Sequence, residues 1–232
     1  MPIGIFVDSA ATLVGAFIGS LLGQRLPRRF ADTLSYVFSV APIVIGITMI
    51  ISYTQLSVVI LSLILGAAIG ELLKLNQRVH QLSDRLTEHF SRGSASDKLN
   101  TAVFVNIIVM FSISGYGIFG ALNEGFLGDH SSLIVKAILD FFTVLCFASL
   151  YGRVMLCTWI PQFSVYLLLF FLSSLVMPVI TPEILGDLSA CAGVITMSTG
   201  INLLFKKDIP TISMLPSLVV VILLSRIWGV LF

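Results

Sequence analysis

Chemistry is first conceivable in this sequence where two ionisable residues stand one helical turn apart inside an apolar run. Lys136 and Asp140 interrupt SSLIVKAILDFFTVLCFASLY (Ser131 to Tyr151), with Asp140 near its middle. If the run crosses a bilayer, a charge at that depth costs about 2.5–3.5 kcal/mol, so it must face protein or water and find a partner. The i,i+4 spacing supplies Lys136. Such a pair either locks a helix bundle as a structural ion pair or belongs to an ion- or proton-coupling site, where a carboxylate loads and unloads a cation.

Two other stretches carry polar atoms at membrane depth. SGYGIFGALNEGFLGDH (Ser114 to His130) contains five glycines, an unfavourable composition for a regular helix. The expectation is an unwound backbone lining a cavity, with Asn123, Glu124 and Asp129 adding side-chain oxygens; a plain extracellular loop is the alternative. Further on, Thr196, Ser198, Thr199, Gly200 and Asn202 form a polar run; hydroxyls bonded back to their own helix are the commoner explanation for a lone Ser or Thr, but four polar side chains in seven residues read as a lining surface. Asp8, Gln162, Asp187 and Arg226 lie nearer the ends of apolar runs and are expected to snorkel to the interface. His80, His89 and His130 all fall outside the apolar runs, and only Asp140 is clearly deep. No intramembrane serine–histidine, histidine–metal or aspartyl-dyad site can therefore be assembled, and no catalytic residue, metal or cofactor is expected.

The elements that must position these residues follow from composition. The chain has 232 residues, 57% hydrophobic and 11% charged, with a mean hydropathy of +1.04. Soluble domains carry about 25% charged residues, so a soluble enzyme is excluded, and a net charge of +1 gives no reason to expect nucleic acid. At about 20 residues per span, the apolar runs are Ile3 to Leu22, Ala31 to Ile51, Leu56 to Leu73, Asn100 to Leu122, Ser132 to Tyr151, Val154 to Ile180, Ile184 to Phe205 and Met214 to Phe232. The fold class is an all-α polytopic bundle of eight spans, or seven if Trp159, Pro161 and Gln162 break the sixth or the fourth is re-entrant. The first run lacks a basic leader and cleavage site and reads as a retained span. Cys146, Cys157 and Cys191 sit in apolar runs as small hydrophobes.

With eight spans, Arg25, Arg28, Arg29, Lys74, Arg78, Arg85, Arg92, Lys98, Arg153, Lys206 and Lys207 all fall on one side, and the loops of the other side hold no basic residue. The positive-inside rule then puts both termini outside and makes dual topology improbable. Leu75, Val79, Leu82, Leu86 and Phe90 recur at helical spacing with Arg78, Asp84, Arg85 and Glu88 on other faces, which predicts a cytoplasmic surface helix running into the joint RGSASDK (Arg92 to Lys98). The resulting organisation is a three-helix membrane unit at 1–74, an amphipathic linker at 75–98 and a five-helix membrane unit at 99–232.

Repeats tie the halves together. GAFIGSLL (Gly15 to Leu22) and GAAIGELL (Gly66 to Leu73) agree at six of eight positions. Gly15 and Gly19, and Gly66 and Gly70, form small-residue stripes expected to pack helix on helix, with a glycine-lined pore as the alternative. LSYVFSVAPIVIGI (Leu34 to Ile47) matches LSACAGVITMSTGI (Leu188 to Ile201) at five of fourteen positions without a gap. The same offset lays spans one to three over spans six to eight, which the charge pattern orients oppositely, as in the inverted repeats of secondary transporters.

Over nearly its whole length the chain resembles a bacterial family of membrane proteins of unknown function typified by YdfK and YqgA. The resemblance rests on RLPRR (Arg25 to Arg29), GAAIGELL before a soluble helix, GIFGALNEGFLGD followed by SLIVKAILD, and LSACAGVITMSTGINLL. The lysine and aspartate of the family match Lys136 and Asp140. The resemblance implies a polytopic protein of the bacterial inner membrane, suspected of transport, with no substrate assigned. The function expected is a small secondary transporter, with a midplane site between spans two, four, five and seven. There Asp140 binds the coupling cation, Lys136 neutralises it when empty, and Asn123, Glu124, Ser198, Thr199 and Asn202 coordinate ion or solute. An ion channel and a non-transporting scaffold are the alternatives. Expected partners are the lipid bilayer, a small solute or monovalent cation and, through the glycine stripes, a parallel homo-oligomer.

Overall fold

A backbone in hydrocarbon must satisfy its own hydrogen bonds, and this chain does so with helices. The computed structural model describes residues 1–23, 28–90, 105 and 107–231. Its elements are α1 (Ile3–Leu22), α2 (Arg28–Ile50), α3 (Leu56–Leu72), α4 (Leu75–Phe90), a helical stretch at 107–112, α5 (Gly115–Leu127), α6 (Ser131–Tyr151), α7 (Trp159–Val176), α8 (Pro182–Phe205), the single turn α9 (Thr211–Met214) and α10 (Ser217–Leu231). Among the described residues, seven stretches are long and apolar enough to span a membrane; α3 and the start of α4, bent by 51°, make an eighth if taken as one. The chain is thus an all-α polytopic bundle. The joint at Arg92 to Lys98 lies outside the described residues.

Sequence sets the breaks. Ser114 caps α5, its hydroxyl accepting the Gly117 N–H at 3.1 Å. At its other end Gly128, with φ 71°, takes the left-handed conformation that closes a helix. Thr181 caps α8 ahead of Pro182, whose missing N–H costs nothing at a first helical position. Pro161 likewise falls in the first turn of α7, so it opens that helix and does not break it.

The glycine-rich stretch is not unwound. The expectation failed because it weighed glycine by helix propensity alone; here neighbouring groups occupy the space that Cβ atoms would need. A Cβ on Gly117 would overlap the Tyr166 ring, and one on Gly120 would come within 2.9 Å of Leu133. Tertiary contact outweighs the roughly 1 kcal/mol each glycine costs a helix. Only Ile113 and Ser114 depart from helix, splitting this span in two.

Glycines also fix which helices pair and in which direction. Gly15 meets the carbonyl of Phe141 and Gly19 that of Leu145, so α1 runs parallel along α6. Gly66 faces Ser217 and Gly70 faces Ser213, so α3 runs antiparallel to α10. Gly46 and Gly193 each lie against the other's carbonyl, and Gly200 against Ser39 and Ile43, bringing α2 antiparallel onto α8. Gly117 beside Tyr166 and Gly125 beside Ser173 make α5 parallel to α7. Each of the first three helices therefore finds its main partner in the second half of the chain. Both glycine stripes are consumed inside the molecule, which removes them as the surface on which a parallel homo-oligomer was expected.

Candidate functional site

Polar side chains from three helices meet where α1, α6 and α7 pack. On α1, Asp8 and Thr12 continue the face that carries Gly15 and Gly19; both are fully buried. On α6, Lys136 and Asp140 are 4% and 8% exposed; on α7, Gln162 and Tyr166 are completely buried. Each helix thus contributes an i,i+4 pair to one cluster.

Gln162 is its hub. Its Nε2 donates to Asp8 Oδ2 at 2.6 Å and to Asp140 Oδ2 at 2.8 Å, while its Oε1 accepts from Thr12 Oγ1 at 3.3 Å. Lys136 Nζ donates to Asp140 and lies 3.8 Å from Asp8 Oδ2. The ammonium also sits 5.7 Å from the Phe111 ring centroid and 5.4 Å from that of Tyr166, a cation–π setting. Tyr166 donates its hydroxyl to the carbonyl of Phe111 at 2.6 Å and lies 3.4 Å from Ser114 Oγ. The break at Ile113 and Ser114 explains that bond: Gly115 no longer supplies the helical N–H to Phe111, so the carbonyl takes a side-chain donor.

Beside this cluster is a cavity of about 100 Å³. It is bounded by Phe38, Pro42 and Ile45 of α2, by the broken span from Met110 to Tyr116, by Lys136, Leu139, Asp140 and Thr143 of α6, and by Thr196, Thr199 and Leu203 of α8. Among the described residues, Lys136 and Asp140 are the only formally charged groups on a wall that is otherwise mainly apolar. The charge balance of the cluster is uneven: two carboxylates face one ammonium, all three buried. Asp8 Oδ1 is buried with no hydrogen-bond partner among the described residues. A surplus buried negative charge is costly in low dielectric unless a proton or a cation neutralises it.

The structure distributes the other residues singled out from sequence as follows. Thr199 lines the cavity and donates back to the Ile195 carbonyl at 3.0 Å; Ser198 is buried but off the cavity wall. Asn202 closes the turn after α8, pairing its amide with both the N–H and the carbonyl of Ile209 at 2.8 Å. Glu124 is 1% exposed and accepts the Gly4 N–H at 2.6 Å and the Ile5 N–H at 3.2 Å, capping the start of α1. Asn123 donates to Asp129 at 3.2 Å. In that loop, outside the spans, the Ser131 backbone N–H bonded to Asp129 holds its carboxyl below the usual carboxylate range.

Asp8, Gln162 and Asp187 do not snorkel. All three are fully buried: partner helices cover them, and Gln162 and Asp187 are satisfied there, while Asp8 is bonded through Oδ2 alone. Asp187 accepts the N–H groups of Thr54 and Gln55 at 2.9 and 2.8 Å and the Ser225 hydroxyl at 2.7 Å, doing for α3 what Glu124 does for α1.

Comparison with known proteins bears on the chain as a whole. It is 37% identical over 234 residues to the uncharacterised protein YqgA of Escherichia coli (strain K12), an alignment covering all of both chains. It is 25% identical over 242 residues to the uncharacterised membrane protein YdfK of Bacillus subtilis (strain 168), covering 99% of each. No solved structure matches. The model of the family described as protein of unknown function DUF554 matches residues 3–226, and the chain belongs to that family of membrane proteins.

Proposed function

We propose that the chain is a small secondary transporter of a bacterial inner membrane. In this reading a monovalent cation or proton couples to the cluster of Asp8, Lys136, Asp140 and Gln162, and the adjoining cavity receives the ion or a small solute. The observation that carries it is the cavity wall: the charged groups on it among the described residues, Lys136 and Asp140, belong to a buried cluster with one carboxylate more than it has ammonium groups. A purely structural ion pair needs neither the extra acid nor the empty volume. Loading a cation neutralises the surplus charge, and unloading restores it, so the bound ion can bias one arrangement of the helices over another.

An inverted repeat supports the reading. The offset that lays Leu34 on Leu188 turns the contact of Gly46 with Gly193 into one between Ser39 and Gly200. It likewise turns Gly46 with Met197 into Ile43 with Gly200, and both transformed contacts are present. The same offset lays α1 on α7; α1 lies along α6 and α7 along α5, so α5 and α6 exchange places. Alternating access in such proteins is a rocking of repeat-related elements about a midplane site. Lys74, Arg78, Arg153, Lys206 and Lys207 cluster at one end of the bundle, which under the positive-inside rule supports a topology with both termini outside.

Flux into proteoliposomes, driven by an imposed proton or sodium gradient, tests this with the parent and Asp140→Asn. Gradient-dependent accumulation in the parent, abolished in the variant, is expected. A voltage-driven current equal in both favours a channel in which Asp140 is incidental, and no flux of any ion or solute in the parent favours a scaffold; either overturns the proposal.

A further inference from the structure

Sharing no lining residue with the cavity beside Asp140, a second cavity of about 450 Å³ lies between α5, α7 and α10. It is lined by aliphatic side chains and Phe126, with a single polar residue, Arg226. The groove opens laterally: Leu172, Val219 and Leu223 on its walls are 48%, 63% and 59% exposed, on faces that meet lipid in a membrane. From Leu215, just before α10, to Arg226 it extends about 16 Å at the helical rise of 1.5 Å per residue. That is close to half of the roughly 30 Å hydrocarbon thickness, the reach of one lipid chain in one leaflet.

Arg226 stands at the end of the groove where a headgroup lies. Its chain neighbour Ser225 is bonded to Asp187, which caps the first turn of α3, so this part of α10 is pinned at the α2–α3 turn. Phe126, Val176 and Val179, beside Arg226 in the same groove, close α5 and α7 at that end. Among the described residues no carboxylate pairs with Arg226. An arginine at the edge of hydrocarbon without an acidic partner suits a phosphate, which its planar fork bonds through two parallel N–H groups.

We propose that this groove binds one phospholipid with an anionic headgroup, its acyl chain between α5, α7 and α10 and its phosphate on Arg226. The site is separate from the cavity beside Asp140 and does not depend on the transport reading. A chain held there ties α10 to α5 and α7, so the lipid acts as a removable wedge between α10 and the α5–α7 pair.

Native mass spectrometry of the full chain in detergent, with added phosphatidylglycerol or phosphatidylethanolamine, tests it. The parent should retain one phosphatidylglycerol per chain in preference to phosphatidylethanolamine. Arg226→Gln should lower phosphatidylglycerol retention about fivefold, the change expected for one basic contact, and lower that of phosphatidylethanolamine, whose own ammonium offsets its phosphate, by less. Arg226→Lys should fall between, and Val219→Trp, filling the groove, should lower retention of both lipids. Unfolding temperatures close to the parent's separate these losses from misfolding. Equal retention of the two lipids by the parent, or undiminished phosphatidylglycerol on Arg226→Gln, overturns the proposal. A dimeric mass lost on Val219→Trp also overturns it, by assigning the groove to a second copy of the chain.

Discussion

At the scale of single residues, the cluster around Gln162 makes the effect of a mutation depend on which charge is left behind. Removing Lys136 leaves two buried carboxylates held 2.6 and 2.8 Å from the same amide nitrogen with no ammonium between them. Lys136→Met should therefore lower stability by about 3–5 kcal/mol, the usual cost of stranding a buried charge. Removing Asp140 with Lys136 should cost less, because only the Asp8 carboxylate, still bonded to the Gln162 amide, is then left without an ammonium. Thermal unfolding in detergent of Lys136→Met and of Lys136→Met with Asp140→Leu checks this; if the double variant is no more stable than the single, the ion pair is not what holds Lys136 in place. Gln162→Leu has a different signature. It deletes the donor that two acids share and leaves Lys136 intact, so unfolding should show a loss of about 1–3 kcal/mol, short of that for Lys136→Met.

At the scale of helices, glycine does two jobs that sequence alone does not separate. Gly19 lies where a Cβ would overlap the Leu145 carbonyl and come within 2.9 Å of Ala148, whereas Gly229 has nothing within 4 Å of where a Cβ would stand. Gly19→Ala should lower the unfolding temperature, by an overpacking cost of about 1–3 kcal/mol. Gly229→Ala should hold or raise it, since alanine is the better helix former. Equal shifts for the two would deny that the α1–α6 contact depends on its stripe. The same ambiguity marks the limit of legibility. Lys136 and Asp140 were readable because charge in an apolar run is conspicuous, and the helix face bearing Gly15 and Gly19 was readable from its spacing. Asp8 and Thr12 lie on that same face two turns and one turn earlier, yet Asp8 read as an interface residue because depth was judged by distance from the end of the run, without the partner helix that covers it, and Thr12 gave no signal. Gln162 was lost for the same reason, next to a proline that looked like a break. The helical state of Gly115–Leu127 was not legible at all, since what outweighs glycine's propensity there is a tyrosine more than forty residues away in sequence.

The arrangement of the whole molecule follows from which ends of which helices meet. Asp187, near the start of α8, is bonded to Thr54 and Gln55, so Tyr53 shares an end of the bundle with the beginning of α8. From there α8 runs 24 residues, about 36 Å at 1.5 Å each, which exceeds the hydrocarbon thickness and carries Asp208 to the opposite face. Lys206 and Lys207 precede Asp208, and Lys74 and Arg153 follow the ends of α3 and α6, helices that run the same way as α8. Basic residues in short loops stay cytoplasmic, so the Tyr53 end should face outward. Single cysteines at exposed Tyr53 and Asp208, in a background with exposed Cys157 replaced by serine, convert this into labelling by a membrane-impermeant thiol reagent. Tyr53→Cys should react from outside the cell membrane, and Asp208→Cys only after that membrane is permeabilised. The opposite pattern would invert the bundle while sparing its internal geometry. Reaction of both from one side would mean that α8 does not cross, and the cavity beside Asp140 would then lose the wall that Thr196, Thr199 and Leu203 provide.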